Sequence, residues 1–397
     1  VQKSSYRNKD GTTLRPVDFD DFNFRATLQA EKKMSTSSGL VRQLLSDWDD
    51  KKKIFRLVNR YSFTNPTVNG VRVDMSVVQS SKKNAKGNMV PTYNIRESEI
   101  FNSPKIYEIE IEVVPSSLYT KDAILTELRN TIKYVLCGLQ QTNYPISYTE
   151  MREVATEYMK MIYGEEHPQR MLSRNFIGPS SISLELKNIQ PLTEDSIVSN
   201  IRNPYTVTEK ADGMRKMMFI NNIGRIYLID TNMNIQFTGM KTKSKDHFNS
   251  LLDGEHILHD KHGDFINMYA AFDVYFINKD DQRLKKFVNH TSSDDEASNF
   301  RLNLLDTYIN TLKPTHIVPG GNILVIERKI FEVSPNEESI FNACKKIYNR
   351  VEGEMYPYET DGFIFTPCDL GVGLTYGDSE PINHKHTWLH SFKWKPP

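Results

Sequence analysis

Residues 107–114 read Tyr-Glu-Ile-Glu-Ile-Glu-Val-Val. Three glutamates alternate with Ile109, Ile111 and Val113, and an extended strand turns such alternation into two unlike faces. The charged face needs cations nearby, because three like charges on one side repel. Two earlier strand patterns supply them. Residues 54–63 place Arg56, Val58, Arg60 and Ser62 on one face, and residues 71–77 place Arg72, Asp74 and Ser76 on one face. Closed into a barrel, such strands set a basic wall opposite an acidic one. Carboxylates of Glu108, Glu110 and Glu112 would then hold a cation, while Arg56, Arg60 and Arg72 grip phosphates. Taken alone, the glutamate segment reads more simply as a solvated strand face.

Helical spacing follows. Thr120 stands where a cap belongs, and Ile124, Leu128, Ile132, Val135 and Leu139 recur at helical intervals. Ser147 with Glu150 forms a capping-box pattern for a second helix, which runs to Tyr163 and stops at Gly164. The polar stretch 165–180 contains Pro168, Gly178 and Pro179 and reads as the domain boundary. Domains of 1–165 and 166–397 result, in keeping with ~100–200 residues per domain. Beyond the boundary, strand patterns at 205–208, 215–220, 225–229, 269–277, 323–326, 362–366 and 387–394 interleave with a clear helix at 302–312. Residues 290–299 are acidic and Ser-rich and read as a solvated loop. The expected class is α+β, built around antiparallel sheet.

Lys plus Arg and Asp plus Glu both number 50, so net charge points to no nucleic-acid partner, and any attraction to RNA must come from local basic stripes. Cys137, Cys344 and Cys368 are widely spaced. They suggest neither a disulfide framework nor a zinc site, and a reducing compartment is the simplest reading. No apolar run approaches the ~18 residues that span a bilayer, and the polar, basic start lacks the apolar segment of a signal peptide. No membrane association is expected.

Residues 209–215 read Glu-Lys-Ala-Asp-Gly-Met-Arg. Lys210 ends a strand pattern, and Gly213 permits a tight turn through which backbone can approach a nucleotide. A lysine that attacks phosphorus must be unprotonated at that moment, against an ordinary pKa of ~10.4. A desolvated position and neighbouring cations favour that state. A lone Lys-x-Asp-Gly is more often a turn than a site. Here four compatible segments follow in order. Residues 251–255, Leu-Leu-Asp-Gly-Glu, alone read as a hairpin end. Residues 269–274 form a buried strand pattern with Phe272 and Asp273. Residues 360–365 put Asp361 at the mouth of an apolar strand. Residues 392–396 alternate, so Lys393 and Lys395 share a side, suited to phosphate oxygens or merely to solvent.

These five segments, in this order, resemble the covalent nucleotidyltransferase superfamily of mRNA guanylyltransferases and polynucleotide ligases, from about Gly178 onward. Asp361-Gly362-Phe363-Ile364-Phe365 resembles the guanylyltransferase "DGLIF" element, where ligases usually have Glu-Gly. Residues 392–396 resemble "LKWKP", and 179–189 resemble the stretch that packs around guanine in capping enzymes. The resemblance implies that Lys210 forms a phosphoramidate with GMP from GTP and releases pyrophosphate. It also implies that Arg215 contacts the ribose, Glu255 binds sugar or holds the site, and Phe272 stacks on the purine. Asp361 would place Mg²⁺ or Mn²⁺, and Lys393 with Lys395 would neutralise the α-phosphate. In the family an OB-fold lid follows this point of the chain and would lie beyond Pro397.

The glutamate strand with its arginine-bearing neighbours resembles the tunnel-type, metal-dependent RNA triphosphatases. These are fused ahead of guanylyltransferases in capping enzymes of large DNA viruses. That resemblance implies a partial antiparallel β tunnel of the triphosphate tunnel type, with Glu108, Glu110 and Glu112 on the metal and Arg56, Arg60 and Arg72 on the triphosphate. A partner Glu-x-Glu strand has no match near the start, where Glu31 stands alone and Asp18, Asp20 and Asp21 fit poorly. The tunnel is therefore expected to be incomplete. The layout implies capping of the 5′ end of RNA in the host cytoplasm or virion, with a methyltransferase domain or subunit as a partner. An ATP-dependent polynucleotide ligase would use the same lysine chemistry, although Asp361 and the glutamate strand speak against it. A non-catalytic RNA-binding scaffold could also retain the fold.

Overall fold

The computed structural model describes the chain apart from residues 66–67, 115–119, 169, 193–197, 292–296, 319–320, 322, 335–338 and 397, and apart from the side chains of 65, 68, 69 and 298. It divides into two compact units, Val1–Leu139 and Gln140–Pro397.

The first unit opens with four short strands, β1 (Gln2–Ser5), β2 (Val17–Phe19), β3 (Phe24–Ala26) and β4 (Gln29–Lys32). β1 pairs antiparallel with β4, and β2 with β3. Helix α1 (Gly39–Ser46) is capped by Ser38, whose hydroxyl accepts the Val41 N–H. The three expected strands follow as β5 (Arg56–Asn65), β6 (Val68–Ser80) and β7 (Ile106–Val113), an antiparallel sheet with β6 in the middle. Helix α2 (Lys121–Gln140) begins after Thr120, whose hydroxyl accepts the Ala123 N–H.

Alternation places the charges as expected but not as facing walls. Register sets Arg72 opposite Glu112, Asp74 opposite Glu110 and Ser76 opposite Glu108. Because β6 lies between β5 and β7, arginines and glutamates become neighbours on one face of one sheet. The reverse face keeps Tyr61, Phe63, Met75 and Ile109 exposed. A triphosphate tunnel is not seen among the described residues.

The second unit begins with helix α3 (Tyr148–Tyr163), capped by the Ser147 hydroxyl on the Glu150 N–H. Only half of the capping box forms. The Glu150 carboxylate instead accepts from Tyr227 and pairs with Arg225. Val154, Tyr158, Met159 and Ile162 of α3 are buried in one core with Met217, Phe219 and Tyr227. Burying such side chains is worth about 1.5–3 kcal/mol each. This places the division of the chain before α3, not in 165–180.

Thirteen strands follow among the described residues of this unit. They are β8 (Ser180–Ser183), β9 (Tyr205–Ala211), β10 (Met214–Ile220), β11 (Arg225–Asp230), β12 (Ile235–Lys241), β13 (Ser250–His259), β14 (Phe265–Ile277), β15 (Asp280–Asp281), β16 (Thr315–His316), β17 (Val325–Arg328), β18 (Glu332–Ser334), β19 (Thr360–Pro367) and β20 (Thr387–Trp394). Helix α4 (Arg301–Thr311) precedes β16, and helix α5 (Ser339–Glu352) precedes β19. The large sheet runs β15-β14-β13-β10-β11-β12-β16, with β17 parallel to β14. The smaller sheet runs β18-β9-β19-β20-β8. Residues 251–255, expected as a hairpin end, are the interior of the long strand β13.

The apolar run of β10 is buried on both sides. Met217 and Phe219 pack into the core with α3, while Met218 and Ile220 join Leu302, Leu305 and Tyr308 of α4. The large sheet is thus covered by a helix on each face. The smaller sheet buries Tyr205, Val207, Phe365 and Phe392 against Ile340, Ala343 and Ile347 of α5. The acidic loop expected at 290–299 lies partly outside the described residues. Among the described residues, no helix is long and apolar enough to cross a membrane.

Candidate active site

The strands β9 and β10 belong to different sheets, and the turn Asp212-Gly213 joins them. Lys210 therefore closes the smaller sheet while Arg215 opens the large one. Between the sheets lies a cleft of about 840 Å³, counting space continuous with solvent. Lys210, Arg215, Glu255 and Phe272, drawn from three of the sequence motifs, line it together. Lys329, Asp273, Tyr275, Ser181, Ser391 and Trp388 line it as well.

Lys210 is not an unpartnered amine in this state. Its Nζ donates to Asp361 Oδ1 at 2.6 Å, and Lys395 Nζ sits 2.6 Å from the other oxygen, Oδ2. The Lys210 side chain is 23% exposed and Asp361 33%, so the trio is reachable from solvent. Burial opposes ionisation of Asp361, and the two ammonium groups overcome it, holding the carboxyl below its usual range. The strand register makes this contact. Thr360 pairs with Ala211 and Phe363 with Glu209, which leaves Lys210 facing the two residues Asp361 and Gly362. The bulge turns the carboxylate onto the amine. Gly362 is required there, since its φ is 137° and a Cβ would lie 1.9 Å from the Trp394 carbonyl oxygen.

Lys393 is exposed, stands opposite the cleft-lining Ile364, and its carbonyl accepts the Leu184 N–H. Lys395, one residue past the end of β20, is the one of the two that meets Asp361.

Arg215 is held on three sides. Its Nε and Nη2 donate to the buried Asp253 carboxylate at 3.1 and 2.5 Å, and its Nη1 donates to the Pro179 carbonyl at 2.6 Å. Tyr275 donates to Asp253 at 2.7 Å. The guanidinium lies 5.7 Å from the Phe176 ring and 5.6 Å from Phe272, within cation–π reach. Burial pushes the Glu255 carboxyl up to about 7, against the attraction of Lys329 and Arg215. Lys329 is buried, and its Nζ donates to the Glu209 carbonyl at 2.5 Å and lies 3.1 Å from the Glu209 carboxylate. No motif marks Lys329, and only its position one residue past β17, beside β14, brings it here. Asp253 was visible in the sequence only as part of an apparent turn.

On the other side of the large sheet, Lys216 Nζ donates to Gln236 at 2.6 Å and to His256 Nδ1 at 2.9 Å. His256 Nε2 meets Asn267 Oδ1 at 3.0 Å. The tautomer assigned from these partners carries its hydrogen on Nε2. Burial brings the lysine down to about 8. Burial and the adjacent ammonium bring the histidine to about 4.

In the first unit, Arg56 pairs with Glu108 at 2.8 Å, Arg60 with Glu110 at 2.8 Å and Arg72 with Glu112 at 2.5 Å. Beneath them Asp74 is fully buried, 3.0 Å from both Arg60 and Arg72. Burial raises its cost of ionisation, but hydrogen bonds from Ser62 and Arg72 and the charge of Arg60 hold it ionised. Carboxylate oxygens of Asp74, Glu110 and Glu112 lie within 4.8 Å of one another. Glu108 is not in that group. The three expected glutamates are therefore only partly the cluster, because Glu108 stands one row further along, opposite Ser76. Asp74 takes the vacant place, and alternation had already set it on this face.

Fold and cleft define a mixed α+β protein of antiparallel sheets with a lysine–aspartate–lysine trio at an inter-sheet site. A family model for the mRNA capping enzyme, catalytic domain, matches residues 139–397, and the chain belongs to that family. The match begins where the second compact unit does. The "Probable mRNA-capping enzyme" of Acanthamoeba polyphaga mimivirus is 25% identical over 427 residues, covering 99% of this chain and 32% of that protein. The "mRNA-capping enzyme" of Mus musculus is 26% identical over 228 residues, covering 56% of this chain and 33% of that protein. The chain thus spans about a third of the length of each. A solved structure titled "Pmar-Lig_Pre." overlaps at a TM-score of 0.30 and 14% identity, covering 70% of this chain and 58% of that one. That overlap is too loose to bear on the fold.

Proposed function

We propose that the second unit transfers GMP from GTP to the 5′-diphosphate end of RNA through a covalent adduct on Lys210. The observation that carries this reading is the Lys210–Asp361–Lys395 trio at the edge of a cleft walled by Phe272, Glu255 and Arg215. GTP enters with its purine against Phe272, a contact that aromatic rings tolerate well. Arg215 and Glu255 face the sugar. Lys395 meets the α-phosphate by charge, and Lys393, two residues past the cleft-lining Ser391 on the same strand face, joins it. Lys210 passes a proton to the Asp361 carboxylate and from there to solvent, and the neutral amine attacks the α-phosphorus. The N–P bond forms as the bond to pyrophosphate breaks, and pyrophosphate takes the electron pair. A terminal phosphate oxygen of the RNA then attacks the same phosphorus, and the lysine leaves with the pair and regains its proton.

Mg²⁺ or Mn²⁺ fits Asp361, since such ions need only one or two carboxylates beside substrate phosphates. When bound, the ion polarises the phosphoryl group and orients the leaving group. With α-labelled GTP and Mg²⁺, protein should acquire label, and Lys210→Ala should acquire none. Equal labelling of that variant contradicts the assignment. Labelling by ATP instead of GTP selects the ligase alternative, and nucleotide binding without transfer selects the scaffold.

The polar face of the first unit supports a second activity, metal-dependent removal of the RNA γ-phosphate. Asp74, Glu110 and Glu112 supply a convergent carboxylate set for a divalent ion, and Arg56, Arg60 and Arg72 stand beside it for the phosphates. Asp74→Asn should reduce Mn²⁺-dependent phosphate release at least about 100-fold if the carboxylate holds the ion. Unchanged release removes Asp74 from the site. On this reading capping proceeds in host cytoplasm or virion, with a methyltransferase acting downstream.

A further inference from the structure

The aromatic wall of the cleft is set by bulges. Across β13 and β14, Leu252 opposes Val274, Asp253 opposes Asp273 and Gly254 opposes Ala271. Phe272 is therefore an extra residue with no partner. Leu251 opposes Phe276, so Tyr275 is a second extra residue. Both line the cleft. A bulge bends its strand and re-aims a side chain, but it also breaks the hydrogen-bond ladder and must be held by other contacts.

Between the two bulges lies the rung Asp253–Asp273, and each carboxylate is gripped by a different arginine. Asp253 takes Arg215. Asp273 takes Arg301, from Nε at 2.9 Å and Nη2 at 3.1 Å, while its Oδ1 also accepts the Val274 N–H at 2.8 Å. Arg301 is fully buried. Its Nη1 donates to the carbonyls of Lys285 and Leu370, and its guanidinium lies 5.3 Å from the ring of Phe287, another wall of the cleft. Arg301 opens α4, outside every recognised motif, and does not itself line the cleft.

We propose that Arg301, acting through Asp273, is a positioning residue for purine recognition: the pair locks the bulge that aims Phe272 at the base. This rests on the reading of the cleft as a GTP site. The fork matters because two parallel N–H groups fix the plane of the Asp273 carboxylate, which in turn holds the backbone beside Phe272. A lysine keeps the charge without the fork.

The test is a double-mutant cycle read by calorimetric binding of GTP without divalent cation, so that affinity is separated from transfer. Arg301→Lys should weaken GTP about tenfold, the scale of one lost base stack. It should leave inorganic tripolyphosphate affinity unchanged, because that ligand has no base. In a Phe272→Ala background the same substitution should change GTP affinity less than about twofold. Thermal melts verify folding. Should Arg301→Lys not fold, Asp273→Asn, which keeps an oxygen acceptor, is read with the same expectations. Unchanged GTP affinity, equal weakening of tripolyphosphate, or a full effect without Phe272 overturns the proposal. Wild-type protein that binds GTP yet takes no label refutes guanylyl transfer and leaves this comparison standing. Wild-type protein that binds no purine nucleotide refutes both.

Discussion

Glu255 shows how the cleft acts on a single group. Its folded pKa near 7 lies above the ordinary 4.5 because burial disfavours the charge. Such a shift adds stability that is fully present below the unfolded value and lost as pH rises through the folded one. Glu255→Gln should therefore raise stability by up to about 3 kcal/mol near pH 8 and change little near pH 4. Thermal melts at the two pH values check this, and an equal gain at both would contradict it. The identity of the cleft residues was legible in the sequence because lysine, arginine, acid and aromatic recur in a fixed order. Their pairing was not. Nothing in residues 209–215 says that Lys210 rests on Asp361, or that Arg215 spends three N–H groups on Asp253 and Pro179. Asp74 was placed on the right face by alternation alone, yet only register ranks it above Glu108.

At the scale of elements, bulges build the site. One sets Asp361 against Lys210, and another sets Phe272 into the cleft. Period-two reading assumes an unbroken ladder and cannot see either. The same blindness made 251–255 look like a hairpin end. Gly254 is there for close approach, since a Cβ would lie 2.5 Å from the Tyr269 ring. Gly362→Ala tests the first bulge. Positive φ and contact with backbone leave the new methyl no room, so the substitution should cost at least about 2 kcal/mol and abolish labelling. Urea unfolding reads the former, and a wild-type midpoint would show that the bulge tolerates a side chain. Helix α3 was legible because it buries one consistent stripe, Val154, Tyr158, Met159 and Ile162, and β7 because glutamate alternates with apolar residues along it although Ile106, Ile109 and Val113 stay exposed.

At the scale of the molecule, the second unit contains every cleft residue and its own buried clusters. Residues 139–397 alone should then fold cooperatively and bind GTP within about threefold of the whole chain, as expected of a unit with its own core. A far weaker affinity, measured by calorimetry, would show that the first unit contributes to the cleft. The division before α3 was hidden in the sequence because the polar, Pro- and Gly-containing stretch 165–180 looks like a linker. What decides is the apolar face of α3, which shares one core with Met217, Phe219 and Tyr227 far along the chain and with Phe176 and Ile177 from within that stretch.

The most direct measurement is peptide mapping by mass spectrometry after incubation with GTP and Mg²⁺. A single GMP adduct on the peptide carrying Lys210, lost in acid as a phosphoramidate is, is the predicted result. An adduct on any other residue, or no adduct when bound GTP is demonstrable, contradicts the account.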